Sequence, residues 1–141
     1  MIGTTRTGFT ATMTFIGIVF AVSCATNPVS GKKELALVSE SQEIAIGRQG
    51  AAEVTETIGL YPDVGLQAYV WRIGQGVASK TERPTLPWDY RIVDDASVNA
   101  FALPGGFIFI TRGLLAHMTN EAELASVLGH ESGHVLSLIH I

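Results

Sequence analysis

The chain has 141 residues, 47% of them apolar and 16% charged, with a formal net charge of −4. A chain of this length and hydrophobicity builds one modest core and is not disordered. No basic run breaks the acidic balance, which argues against a nucleic-acid partner; the single cysteine excludes internal disulfides and any thiolate zinc cluster.

The N-terminus reads as an export signal. Met1 to Arg6 carries one positive charge and no acid, and Phe9 to Val22 is uncharged and mostly apolar. That length suits a signal-peptide core and is too short for a spanning helix. Ala21-Val22-Ser23-Cys24 resembles a bacterial lipobox, with Ala21 where leucine is most frequent. Residues 1–23 are therefore expected to be a signal peptide, cut before a lipidated Cys24. An ordinary cleaved signal and an uncleaved anchor are the alternatives. Lipidation accounts for an unpaired cysteine in an exported protein. Ala25 resembles the outer-membrane sorting pattern, so the expected place is the bacterial cell envelope, on the outer membrane and facing the periplasm. Residues 24–38, with Asn27-Pro28 and Ser30-Gly31, read as the lipidated tether and 39–141 as the folded domain.

Ser39 and Gln42 offer a capping box that opens a helix from Glu40 to about Ile58. Ile44, Ala45, Ala51, Ala52 and Val54 are its candidate inward positions, and Gly59 ends it. Pro62-Asp63 opens a second helix, where Leu66, Tyr69, Val70, Ile73 and Val77 recur at helical spacing. After the break at Arg83 to Pro87, Trp88, Tyr90 and Ile92 alternate with Asp89 and Arg91, predicting a half-buried strand. Two β-rich runs flank Pro104-Gly105-Gly106 and predict a hairpin or tight bend. Proline cannot donate to a ladder, so the Leu103-Pro104 run belongs at a sheet edge. An extended peptide could pair with such an edge; a purely structural hairpin packed on the last helix is the other reading.

That last helix carries the chemistry. Asn120 and Glu123 stand at capping-box spacing, and Leu124, Val127, Leu128 and Val135 form an apolar stripe. Ala122, Ala125 and Gly129 leave small surfaces for a neighbour to approach. His130-Glu131-Ser132-Gly133-His134 then spells H-E-x-x-H. Four residues is just over one turn, so both imidazoles leave one face and can bind one Zn²⁺. Glu131 sits about 100° round from His130, beside the metal, where it can take a proton from the attacking water. His117 reads as a surface or outer residue.

With these motifs in hand, the chain resembles the zinc metallopeptidase family of HtpX and the CAAX prenyl proteases, in its bacterial lipoprotein branch. The matching segments are Asn27 to Gly31, Leu37 to Glu40, Asn99-Ala100-Phe101-Ala102-Leu103-Pro104-Gly105-Gly106, Gly113 to Leu115, and Glu123 to Ala125 leading into the zinc motif. The resemblance implies His130 and His134 as ligands of one Zn²⁺ per chain and Glu131 as general base. It makes 39–141 a partial zinc metallopeptidase domain. It also implies a substrate cleft bordered by Asn99, Ala100, Phe101, Pro104, Gly105 and Gly106. Proteins or peptides would be the substrates, namely misfolded or misassembled envelope proteins.

Similar proteins continue past the second histidine with an Ala-Arg-His stretch and a further helix that supplies a glutamate as third ligand. Here Val135 is followed by Leu136-Ser137-Leu138-Ile139-His140-Ile141. The expectation is a C-terminally truncated chain that is nearly inactive alone, with the native frame of residues 136–141 left open. His140 stands at the third-histidine spacing of the metzincins, but that pattern needs glycine where Ser137 stands. The expected fold is α+β: N-terminal helices, a small strand pair or sheet, and the zinc helix last. A non-catalytic lipoprotein with a peptide-binding or chaperone-like groove is the alternative function.

Overall fold

The computed structural model describes residues 24–26, 33–35 and 38–137. The expected signal peptide, 1–23, and residues 138–141 lie outside the described residues. Within the segment read as a tether, β1 (Cys24–Thr26) and β2 (Lys33–Leu35) pair antiparallel, with Cys24 opposite Leu35.

The first helix, α1 (Glu40–Thr57), starts where its capping box predicts. Ser39 Oγ accepts the Gln42 amide at 3.3 Å, and Gln42 Oε1 accepts the Ser39 amide at 3.0 Å. The second, α2 (Val64–Ala78), is capped by Asp63, whose carboxylate accepts the Leu66 amide at 2.9 Å. A three-stranded sheet follows, in the order β3 (Asp89–Val93), β5 (Phe107–Thr111), β4 (Ala100–Leu103). A four-residue helix, α3 (Arg112–Leu115), leads to α4 (Glu121–Ser137).

Strand β5 organises the core because both of its faces are buried. Ile108 and Ile110 pack with Val70, Tyr90, Ile92, Leu124 and Leu128, which puts α2 and α4 on one side of the sheet. Phe107 and Phe109 pack with Ala51 and Val93, which puts α1 on the other. The class is α+β as the sequence implies, with α1 and α2 before the sheet in chain order and α4 last, and the helices pack on both faces of the sheet. Strands β4 and β5 form the expected hairpin, Leu103 opposite Phe107, closed by a 3-10 turn at Pro104–Gly106. Gly105 and Gly106 have φ of 75° and 98°, values that glycine adopts without steric penalty. Strand β3 runs parallel to β5, a long-range pairing the local pattern did not reveal.

The two edges of this sheet differ. On β3, Gln67 Oε1 accepts the Ile92 amide at 2.9 Å while its Nε2 donates to the Ile92 carbonyl at 2.8 Å, as a neighbouring strand would. Tyr61 also donates to the Ile92 carbonyl, and Asp94 to that of Gly59. Strand β4 is the other edge, as Pro104 predicts. Among the described residues, its backbone pairs with β5 alone.

Two expected inward positions of α1 are wrong: Ala45 and Ala52 are exposed, and the buried line is Glu43, Gly47 and Ala51. The reason is close approach. A Cβ on Gly47 would stand 1.7 Å from the Pro104 carbonyl oxygen, so only glycine lets α1 touch the turn. Glu43 tolerates burial because Arg83, itself 9% exposed, donates to both of its carboxylate oxygens, at 3.2 and 2.9 Å. Glu43 Oε1 also accepts the Gly105 amide at 3.0 Å, fixing the Pro-Gly-Gly turn to α1.

Gly47→Ala is therefore expected to destabilise the fold by about 2 kcal/mol or more, the range of overpacking against rigid backbone. Gly76→Ala, where a methyl meets nothing within 4 Å, should stabilise it by roughly 0.5–1 kcal/mol through helix propensity. Urea unfolding of both variants beside wild type checks the opposite signs.

Candidate metal centre

Helix α4 is held by its start, its buried face and one polar tie. At the start, Asn120 Oδ1 accepts the Glu123 amide at 3.0 Å, the expected cap. The reciprocal half reaches one residue further than a capping box: Glu123 takes the Thr119 amide at 2.8 Å and the Thr119 hydroxyl at 2.9 Å. These bonds, first the backbone one, hold the Glu123 carboxyl below its ordinary range. Leu124, Leu128 and Val135 are buried as predicted, and Val127 is half-buried. Ala125 and Gly129 are half-buried, with Val77 of α2 3.9 Å from where a Cβ on Gly129 would be, whereas Ala122 is exposed. Tyr69 of α2 donates to Glu121 at 3.1 Å.

His130 and His134 leave the opposite, solvent-exposed face. Their Nε2 atoms lie 3.1 Å apart and the rings meet edge to face at 83°. Zn–N bonds of about 2.0–2.1 Å at a tetrahedral angle require donors roughly 3.3 Å apart, so the pair fits one ion. Glu131 is 8% exposed, and its carboxylate belongs to the same group, with all three candidate ligand atoms within 4.8 Å of one another. Among the described residues no hydrogen-bond donor reaches that carboxylate. His130, Glu131 and His134 together could hold a metal ion.

The remaining sequence candidates fall in two places. Ala100 and Phe101 lie on the open edge strand β4, and Pro104, Gly105 and Gly106 form the turn at its end. Asn99 is exposed, and its backbone closes on Thr111: its carbonyl accepts the Thr111 amide at 3.0 Å. Helix α4 packs against both β4 and the turn. Cys24 opens β1, apart from this group in sequence. His117 is exposed, and its Nδ1 lies 2.7 Å from the Gly113 carbonyl of α3. Helix α4 continues through Ser137, so the chain does not make there the left-handed turn that ligation by His140 calls for; His140 itself lies outside the described residues.

Sequence reasoning missed two polar residues under the motif. Ser132 is 1% exposed, its Oγ bonded to the Leu128 carbonyl at 2.7 Å and to the Tyr90 hydroxyl at 3.0 Å. The signal was present: at 100° per residue Ser132 points away from both histidines, into the apolar stripe, where a hydroxyl needs a partner. Its partner, 42 residues away, had no local signature.

Residues 65–138 match the sequence profile of peptidase family M48. The chain is 29% identical over 116 residues to the beta-barrel assembly-enhancing protease of Escherichia coli (strain K12), covering 82% of this chain and 24% of that protein. To the protein of that name in Yersinia pestis it is 32% identical over 108 residues, 77% of this chain and 22% of that one. To the mitochondrial metalloendopeptidase OMA1 of Schizosaccharomyces pombe it is 28% identical over 121 residues, 84% of this chain and 36% of that one. The chain thus spans between 22% and 36% of the length of these three relatives.

The cap of α4 carries its own pH signature. The Glu123 carboxyl is depressed in the folded state, so its contribution is complete above the ordinary value near 4.5 and fades as pH falls through the lower folded value. Amide hydrogen exchange in residues 121–125 should accelerate on acidification below that range. Asn120→Ala should show faster exchange there already at neutral pH, with a loss of about 1 kcal/mol in stability; unchanged exchange in both experiments contradicts the capping role.

Proposed function

The chain belongs to peptidase family M48, and from that premise we propose that it is a zinc-dependent metalloendopeptidase. The observation that carries the reading is the exposed His130–His134 pair beside a sheltered Glu131 with no donor on its carboxylate among the described residues. His130 and His134 supply two imidazole ligands through Nε2. A Zn²⁺ held there would supply Lewis-acid polarisation of a scissile carbonyl. Glu131 would act as the general base, accepting a proton from an attacking water and returning it to the leaving amine as the peptide bond breaks.

The open edge of β4 gives a peptide somewhere to lie. The covered β3 edge leaves β4 as the side of the sheet where an extended substrate could add as a strand. It runs past α4 and ends in the turn fixed by Glu43. On this reading Ala100 and Phe101 offer the backbone, with Asn99, Pro104, Gly105 and Gly106 bounding the cleft. Catalytic zinc takes three protein ligands, and on this reading α4 supplies two of them, His130 and His134.

The bacterial relatives are named for enhancing β-barrel assembly, which supports misassembled envelope proteins as the substrate class here. A lipid on Cys24 would hold the domain to the outer membrane, facing the periplasm. Such an attachment needs two or more acyl chains to be stable; among the described residues no helix is long and apolar enough to cross a membrane.

In the full natural protein, Glu131→Gln should keep stoichiometric zinc and lose casein hydrolysis by about 10²–10⁴-fold, because only the proton acceptor changes. His130→Ala should lose both. Wild type without zinc or cleavage would favour a peptide-binding groove without catalysis. Membrane fractionation tests the anchor separately: Cys24→Ser should release the protein or leave its signal uncut, and full retention with normal processing would refute lipidation.

A further inference from the structure

We propose that the Tyr90 hydroxyl is a positioning group for the metal centre, setting the roll of α4, and so the placement of His130 and His134, through its hydrogen bond to Ser132. This rests on the metallopeptidase reading and adds to it a residue from outside the motif.

The direction of the hydrogen bond follows from proton counting. Ser132 has one hydroxyl proton, and the Leu128 carbonyl 2.7 Å away can only accept it. Tyr90 must then donate to Ser132 across the 3.0 Å contact. Burial pushes the phenol above its ordinary value of 10, against a smaller opposite effect of the Ser132 bond, so it stays protonated and able to donate at any working pH.

Tyr90 is itself held from several sides. Its ring lies against α2 at Gly74, where a Cβ would stand 2.2 Å from the ring, and it stacks at 6.2 Å on Trp88. Trp88 in turn donates through Nε1 to the Arg83 carbonyl at 2.9 Å. A strand residue gripped in this way is a fixed point, and the turn from Leu128 to Ser132 that it holds includes His130 and Glu131. Ser132 lies on the side of α4 opposite the two ligands. A rigid roll of α4 keeps the spacing of His130 and His134 but moves the pair relative to any metal donor on the rest of the fold: 10° carries side-chain tips through about 1 Å, more than the roughly 0.2 Å to which metal–ligand distances are held. Apolar packing alone permits such a roll; a directional bond to a fixed phenol does not.

The test compares zinc affinity, by chelator competition at low temperature, with thermal stability in the full natural protein. Tyr90→Phe orphans no buried group, since Ser132 keeps its bond to Leu128. Ser132→Ala leaves the Tyr90 hydroxyl buried without its acceptor, so it should be the less stable of the two. Both should nevertheless lose zinc affinity to a similar degree, about tenfold, the lower end for groups one step behind a ligand. The double variant should lose little more than either alone. Val93→Ala, which loosens the other face of the sheet, controls for instability and should leave affinity unchanged. Affinity that tracks stability across all four variants, or that stays at the wild-type value in Tyr90→Phe, overturns the proposal and leaves the metallopeptidase reading intact. Wild type that binds no zinc overturns both.

Discussion

A helix that presents two metal ligands to solvent must have its opposite face locked, because its rotation about its own axis is the freedom that misplaces the ligands. In α4 that lock comes from a stripe of Leu124, Leu128 and Val135 set against the sheet and α2. Apolar contact is strong but without direction. Direction comes from polar groups at two heights along the helix: the Thr119–Glu123 and Asn120–Glu123 bonds at its start, and Tyr90–Ser132 within the motif. The exposed histidines have no comparable support of their own. Among the described residues their Nε2 atoms contact only each other, so their placement is inherited from the backbone beneath them.

The sheet supplies the rigid frame through an asymmetry of its edges. Strand β5 is buried on both faces and so demands helices on both sides. Its neighbours then face different fates. The outer edge of β3 is occupied by a glutamine side chain and a stretch of loop, which spend its hydrogen-bonding groups internally. The outer edge of β4 is left with those groups, and a free edge is a liability unless it is short or used. Here it is four residues long, and its far end is fastened by the Glu43 carboxylate on the Gly105 amide. Leaving a charged carboxylate inside the fold requires compensation, and Arg83 provides it with two hydrogen bonds. A buried ion pair at a turn next to an open strand fixes where that strand ends.

Much of this was legible locally. The caps at Ser39, Asp63 and Asn120, the alternation of Trp88, Tyr90 and Ile92, the turn at Pro104-Gly105-Gly106 and the histidine spacing are each set by neighbours within a few residues. What was not legible depends on contacts between distant segments. Two inward positions of α1, Ala45 and Ala52, were misassigned because hydrophobicity points to alanines, whereas the closest approach selects Gly47 and a paired Glu43 beside the correctly read Ala51. The parallel register of β3 on β5 joins segments separated in sequence by β4 and its turn, which local patterning does not reach. Tyr90 read only as one position of an alternating, half-buried strand because its hydroxyl partner is supplied by a helix far along the chain.

These long-range contacts converge on one region. Arg83, Trp88 and Tyr90 lie within eight residues of one another, at the entry to and start of β3. Arg83 fixes Glu43 and through it the turn that ends the open strand. Tyr90 fixes Ser132 and through it the helix that carries the histidines. The Trp88 ring, stacked on Tyr90 and bonded to the Arg83 carbonyl, joins the two. One short stretch thus holds both sides of the candidate centre, the open β4 edge and the histidine pair, in a common frame. On the proposed reading, reaction of a bound peptide would depend on the distance between those two sides, since geometry at the reacting atoms is where positioning acts on rate. A fold that refers both to the same rigid segment keeps that distance constant even when the outer face of α4 and the β4 edge are each exposed to solvent.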